Sequence, residues 1–263
     1  MIPLRRTCVG LLAAVVAVLA FQASPSAHHR WKRYHWARTA NPFNINLGKN
    51  LTSPWSTGTY LATASADWSQ SDVLNTTVVN GGTTPSQCDP TSGRVEVCNA
   101  AYGSTGWLGV AQIWITGGSH IVQGTVKVND TYFNTSQYNT PAWRQFVMCQ
   151  EIGHTFGLDH QDTNFNNSNL GTCMDYTGDP DGSVNGELSN LHPNSHDYEE
   201  LDIIYSHLDS YTTVGAASST RTPALNNPGE WGQLMKVAHG GKTQIFERDF
   251  GNGQTVVTFV IWA

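Results

Sequence analysis

The chain has 263 residues with a formal net charge of −6, and only 13% of its residues are charged, roughly half the usual share. That balance argues against nucleic acid as a partner. Nine Trp, nine Tyr and nine Phe supply too much core for a disordered chain.

Residues 1–27 read as an export signal. Arg5 and Arg6 give a basic start, and residues 9–21 form an apolar run too short to cross a bilayer comfortably. Ala27 is the expected last residue of the signal, although Pro25 stands where a small residue is preferred; an uncleaved anchor is the alternative. The expected product is a secreted, extracellular chain without membrane contact. Cys8 leaves with the signal, so Cys88, Cys98, Cys149 and Cys173 remain, an even set that in a secreted chain suggests disulfides. Three pairings are open, with four free thiols as the alternative. Cys88 with Cys98 is favoured because it closes a short, turn-rich loop through Asp89-Pro90-Thr91-Ser92-Gly93.

Residues 28–40 form a basic, aromatic arm, read as a mobile tail or a strap over the domain. A sharper reading is copper held by the amine and ring of an N-terminal His28, which requires cleavage after Ala27 and a second histidine from elsewhere. Residues 42–47 alternate as a first strand. Residues 60–71 suit a helix with Leu61, Ala64 and Trp68 on one side. Val73, Val78 and Val79 open a further strand, and residues 94–100, 109–115 and 121–128 read as three more.

The stretch from Cys149 to His160 reads as a helix ended by Gly157, where the chain can take a positive φ. Gln150 and His154, four apart, share a face, Glu151 lies beside them, and His160 returns from another direction. The pattern is one residue away from H-E-x-x-H-x-x-G-x-x-H, with Gln150 at the first position. It resembles the active-site helix of the metzincin metalloproteases, and residues 171–176, Gly-Thr-Cys-Met-Asp-Tyr, are similar to their Met-turn. A glutamine at the first ligand position also occurs in the gametolysin-like peptidases, while the flanking sequence looks more like the matrixin branch. The specific motifs cover about residues 143–176.

The resemblance implies an α+β fold: a twisted mixed sheet, the active-site helix, the Met-turn and a C-terminal helix, over residues 41–210. It implies a secreted zinc endopeptidase acting on protein or peptide, with Gln150, His154 and His160 on Zn2+ or another divalent transition metal. Glu151 would be the general base. Tyr176 is carried over as a metal-touching or oxyanion-stabilising residue, with a purely structural tyrosine of equal weight, and Met174 as the floor of the site. If the turn packs beneath the helix, as the resemblance implies, Cys149 and Cys173 come close enough to bond. A strand edge within residues 107–128 would take extended substrate by strand addition. No cysteine-switch propeptide is expected; either there is no zymogen, or the aromatic arm covers the cleft and is trimmed. The second function class is a catalytically inactive metal-binding or carbohydrate/protein-binding descendant, and the third the copper enzyme.

Beyond the motif, residues 161–169 form a polar loop in which Asp162 either backs a ligand histidine or faces solvent. Residues 179–187 fail as an EF-hand, because position six is Val184 and position twelve carries no glutamate; Ca2+ elsewhere is unsupported. Ser195 is the expected cap of a helix over 198–208, with Tyr198, Leu201, Ile204, Tyr205 and Leu208 as its apolar stripe. His196 and His207 read as surface or structural histidines. Residues 211–227 read as a linker and 228–263 as a β-hairpin region too small for its own core, packing on the main domain. A monomer is expected.

Overall fold

The computed structural model describes residues 28–162, 164–216 and 224–263; residues 1–27, read above as an export signal, and residues 217–223 of the expected linker lie outside them. Among the described residues nine strands form a single mixed sheet. They are β1 (His35–Trp36), β2 (Phe43–Asn50), β3 (Leu74–Asn80), β4 (Val95–Ala100), β5 (Trp107–Thr116), β6 (His120–Asn129), β7 (Gln233–Val237), β8 (Thr243–Gly251) and β9 (Gln254–Trp262). Their order is β3-β2-β4-β6-β5-β9-β8-β7, with β1 beside β6. The first four neighbours pair in parallel and the rest, from β6–β5 onward, antiparallel. The fold is thus α+β with a large mixed sheet and few helices. Among the described residues no helix is long and apolar enough to cross a membrane.

Alternation along the strands assigns the two faces. On β9, Val257, Phe259 and Ile261 join the main core with Ala111 and Ile113 of β5. Val256 and Val260 point the other way, onto Trp107, Val110 and Trp114, where Leu225 and Trp231 cover them. Helices α1 (Tyr60–Trp68) and α3 (Pro141–His154) belong to the first face. The short α2 (Asp130–Phe133) precedes α3. α3 starts where the sequence favours it: Thr140 accepts the Trp143 amide and Pro141 fills the first turn.

Both favoured disulfides are present, Cys88–Cys98 and Cys149–Cys173, which suits an oxidising compartment. The second spans 24 residues and ties α3 to the 171–176 turn, a closure that stabilises by roughly 3–4 kcal/mol on the chain-entropy view.

Three expectations need correction. The closing helix α4 runs Ser195–Ile204, and its cap is Asn194, whose side chain accepts the His196 and Asp197 amides while Asp197 returns the bond. Asn194 is the cap because it is the extended residue just before the helix, with Asp197 at the third helical position to complete a reciprocal box. Leu208 falls outside the expected helix and is exposed. The C-terminal strands β8 and β9 form a hairpin through Asn252-Gly253, and with β7 they extend the main sheet through β5. In consequence the 107–128 segment offers no free edge: β5 has β6 on one side and β9 on the other.

The arm behaves as a strap. Arg30 bridges Leu158, the Trp31 amide donates to Gly157 O at 2.9 Å, and the Asp159 amide donates to His29 O at 2.6 Å.

The second face of the sheet buries one ammonium group. Lys127 Nζ donates to Asn226 Oδ1, and burial lowers its pKa from 10.5 to about 8 despite the pull of Asp89. A base whose folded pKa is depressed is destabilising wherever it is charged in both states, and that penalty fades as pH rises from about 8 to 10.5. Wild type should therefore gain about 3 kcal/mol over that window relative to Lys127→Met, in urea melts taken at both pH values. Parallel pH profiles of the two proteins would remove Lys127 from this account.

Candidate metal centre

All eleven residues from Arg144 to His154 are buried, so α3 is a core helix that presents polar groups inward. Gln150 is fully buried. Both hydrogens of its amide are used, Nε2 donating to Cys173 O at 2.8 Å and to Asp175 O at 3.0 Å. Those two carbonyls can only accept, which fixes the amide's orientation. Oε1 is left buried without a hydrogen-bond partner, and such an orphaned acceptor is costly unless something electropositive meets it.

His154 Nδ1 donates to Leu158 O at 2.9 Å, so Nε2 of the neutral ring carries a bare lone pair. Burial, then the neighbouring His160, holds the His154 pKa well below its ordinary value. His160 is likewise lowered, chiefly by burial. Its Nδ1 faces the Asp159 carboxylate at 3.5 Å and the Tyr176 hydroxyl at 2.9 Å; in the tautomer whose Nδ1–H faces that carboxylate, Nε2 carries a lone pair as well. The two Nε2 atoms lie 3.2 Å apart. In that tautomer two lone pairs face each other and repel unless a cation sits between them; in the other, His160 Nε2–H donates to His154 Nε2. Two imidazoles bound to one tetrahedral zinc at about 2.0–2.1 Å each are separated by about 3.3 Å. The donor set fits a divalent transition metal: two imidazole nitrogens and an orphaned amide oxygen, all neutral, on one helix face and its return.

Glu151 is buried beside them. Its carboxylate takes a backbone hydrogen bond from Ala111 of β5, Oε2 has no partner, and burial raises its pKa well above the usual carboxylate range. Gly109 makes room for it, since a Cβ there would come within 2.5 Å of Glu151 Oε1 and 2.6 Å of Val147 Cγ1.

Met174 packs against α3, for a Cβ on Gly153 would meet its sulfur at 2.6 Å. The turn around it is tightly held: Asp175 Oδ2 accepts from Leu170 N and Asn190 Nδ2, and Asn190 Oδ1 accepts from Gly171 N and Thr172 N. Tyr176 stacks on His160 with ring centroids 4.3 Å apart. Its hydroxyl meets Nδ1, the nitrogen turned away from His154, so it orients the ring rather than facing the reacting position. Asp162 does not back His160; it accepts from Asn164 N and Asn167 Nδ2. That work falls to Asp159, which was not read from the sequence. Burial opposes its ionisation, yet His160 and Lys236, whose Nζ is 2.6 Å from Oδ2, bring its pKa below the ordinary value. The only signal for it was adjacency to His160.

A second cluster was also missed. His35 Nε2, His207 Nε2 and Asp209 Oδ1 converge with all pairs inside 4.8 Å, and could hold a metal ion. The two Nε2 atoms are 3.2 Å apart, and His35 Nδ1 donates to Arg33 O at 2.7 Å. His120 Nε2 reaches Asp209 Oδ1 at 3.2 Å while its Nδ1 meets Tyr211. His207, read as a surface or structural histidine, is half exposed and paired; its partners come from the arm and from beyond α4, spacings no local motif encodes. His28, the copper alternative, pairs with Glu200, and among the described residues no group of three metal-ligating side chains forms around it.

The chain matches no protein-family model and no curated protein.

Proposed function

We propose that this chain is an exported, zinc-dependent endopeptidase of the metzincin type, with Gln150, His154 and His160 as metal ligands and Glu151 as general base. The observation that carries it is the meeting of the His154 and His160 Nε2 atoms at 3.2 Å, with a buried, orphaned Gln150 Oε1 one turn before His154 on α3. The bound ion supplies Lewis acidity toward a substrate carbonyl and toward water. The chain's own residues do the rest. Glu151 Oε2 takes a proton from the attacking water and returns it to the leaving amine. Asp159 and Tyr176 hold the His160 ring. The turn carbonyls of Cys173 and Asp175 hold the Gln150 nitrogen and leave its oxygen unbonded, an arrangement a ring nitrogen could not reproduce with two donated hydrogens. Protein or peptide is the substrate class.

A second reading, a non-catalytic metal-binding descendant, is favoured by one observation: Gln150, Glu151, His154 and His160 are at most 3% exposed.

Elemental analysis after dialysis tests the metal centre. His154→Ala should lose one equivalent of zinc that His207→Ala retains, because the second cluster is independent of the first. Equal zinc content in wild type and His154→Ala would sink the proposal.

A further inference from the structure

The strand that closes the site belongs to the chain itself. β9 pairs antiparallel with β5 from Trp107 to Ile115, in the register Ala111↔Phe259 and Ile113↔Val257. Ala111 is also the residue whose backbone bonds Glu151. Phe259 lies flat on the His154 ring, centroids 4.3 Å apart and planes within 7°. The other appended strands reinforce the closure. Lys236 of β7 pairs with Asp159 at 2.6 Å, and Glu247 of β8 accepts from Trp31 Nε1 at 2.9 Å and Lys32 Nζ at 2.6 Å. An extended polypeptide reaching Glu151 along β5 would need the backbone hydrogen bonds that β9 now holds, and its side chain would need the volume Phe259 now fills.

We propose that β9 is a built-in occupant of the substrate edge, so that the protein is self-inhibited and works only when β9 parts from β5. This rests on the peptidase reading above. The occupant is recognisable as a surrogate: an extended, apolar segment with an aromatic ring over the metal-binding histidine. It makes an extended polypeptide with a bulky apolar residue opposite Ala111 the substrate class.

The test uses full-length protein, a quenched peptide library and zinc analysis of every sample. Two variants open the edge, Phe259→Ala and Val257→Ala. One locks it: Gln112→Cys with Thr258→Cys, an in-register pair whose side chains already touch at 3.0 Å on the sheet face away from Glu151. The expected result is a rise in turnover of at least tenfold in an opening variant. The oxidised lock should fall at least tenfold below wild type and recover under mild reductant, with wild type treated alike. Zinc-loaded samples in which the lock turns over as fast as wild type, or in which a folded opening variant is no faster, overturn self-inhibition and leave the peptidase reading standing. Absence of zinc, or of turnover in wild type and both opening variants, overturns the peptidase reading and the inhibition with it.

Discussion

Glu151→Gln is expected to abolish peptide turnover while leaving the metal in place. The carboxylate is fully buried, takes one hydrogen bond from the Ala111 backbone, and has Oε2 free. Glutamine is isosteric and keeps an oxygen for the Ala111 amide, so packing against Gly109 and Val147 is preserved. What it removes is the capacity to take and return a proton. Positioned general bases contribute about 10²–10⁴-fold, and a loss of that size in kcat/KM is expected, with zinc stoichiometry unchanged. Since the proposed inhibition depresses the baseline, the comparison belongs in the Phe259→Ala background. Thermal stability should hold or rise, because a buried acid with an unpaired oxygen is costly to the fold. Retained turnover in a zinc-loaded Glu151→Gln protein would falsify the assignment of the base.

The part of this site that was legible in the sequence is the part built from local periodicity. Gln150 and His154 follow from the helical repeat and Gly157 from the need for a stop; the pairing of Cys149 with Cys173 comes instead from the family resemblance, which implies that the turn lies under the helix. What stayed hidden depends on contacts between distant segments. Phe259 reaches His154 only because β9 finds β5, a pairing no short-range pattern specifies. One signal was available. Residues 256–262, Val-Val-Thr-Phe-Val-Ile-Trp, form a nearly unbroken apolar run. A strand covered on one face alternates; one buried on both faces does not. That run argued for an interior strand rather than a surface hairpin, and the structure has Val256–Ile261 buried on both sides.

The cluster of His35, His207 and Asp209 was illegible for the same reason, with a different cause of assembly. The arm is fastened across the molecule by Arg38, whose guanidinium donates to Asp209 Oδ2 at 3.1 Å and to Tyr205 O at 2.7 Å. His35 is three residues before Arg38, so docking of the arm carries it to His207. Ligands brought together by docking have no sequence spacing to read.

Docking of the arm also underlies the largest expected change in stability, Gly157→Ala. Gly157 has φ +98, and a Cβ there would lie 2.2 Å from Tyr34 O. The obstacle is backbone, so no rotamer relieves it, and the arm must retreat. Positive φ at a non-glycine residue costs about 1–3 kcal/mol, and overpacking against an immobile group costs about as much again. A loss of about 3–5 kcal/mol is therefore expected in urea unfolding. Gly103→Ala provides the control: φ there is +85, but nothing lies within 4 Å of the added carbon, so only the backbone strain remains. The difference between the two variants isolates the contact with the arm. Because Gly157 also accepts the Trp31 amide and sits between His154 and His160, its displacement should separate the two Nε2 atoms and weaken zinc binding in the same variant. Equal losses of stability in Gly157→Ala and Gly103→Ala would mean that the arm does not brace the turn, and that His160 owes its position to Asp159 and Tyr176 alone.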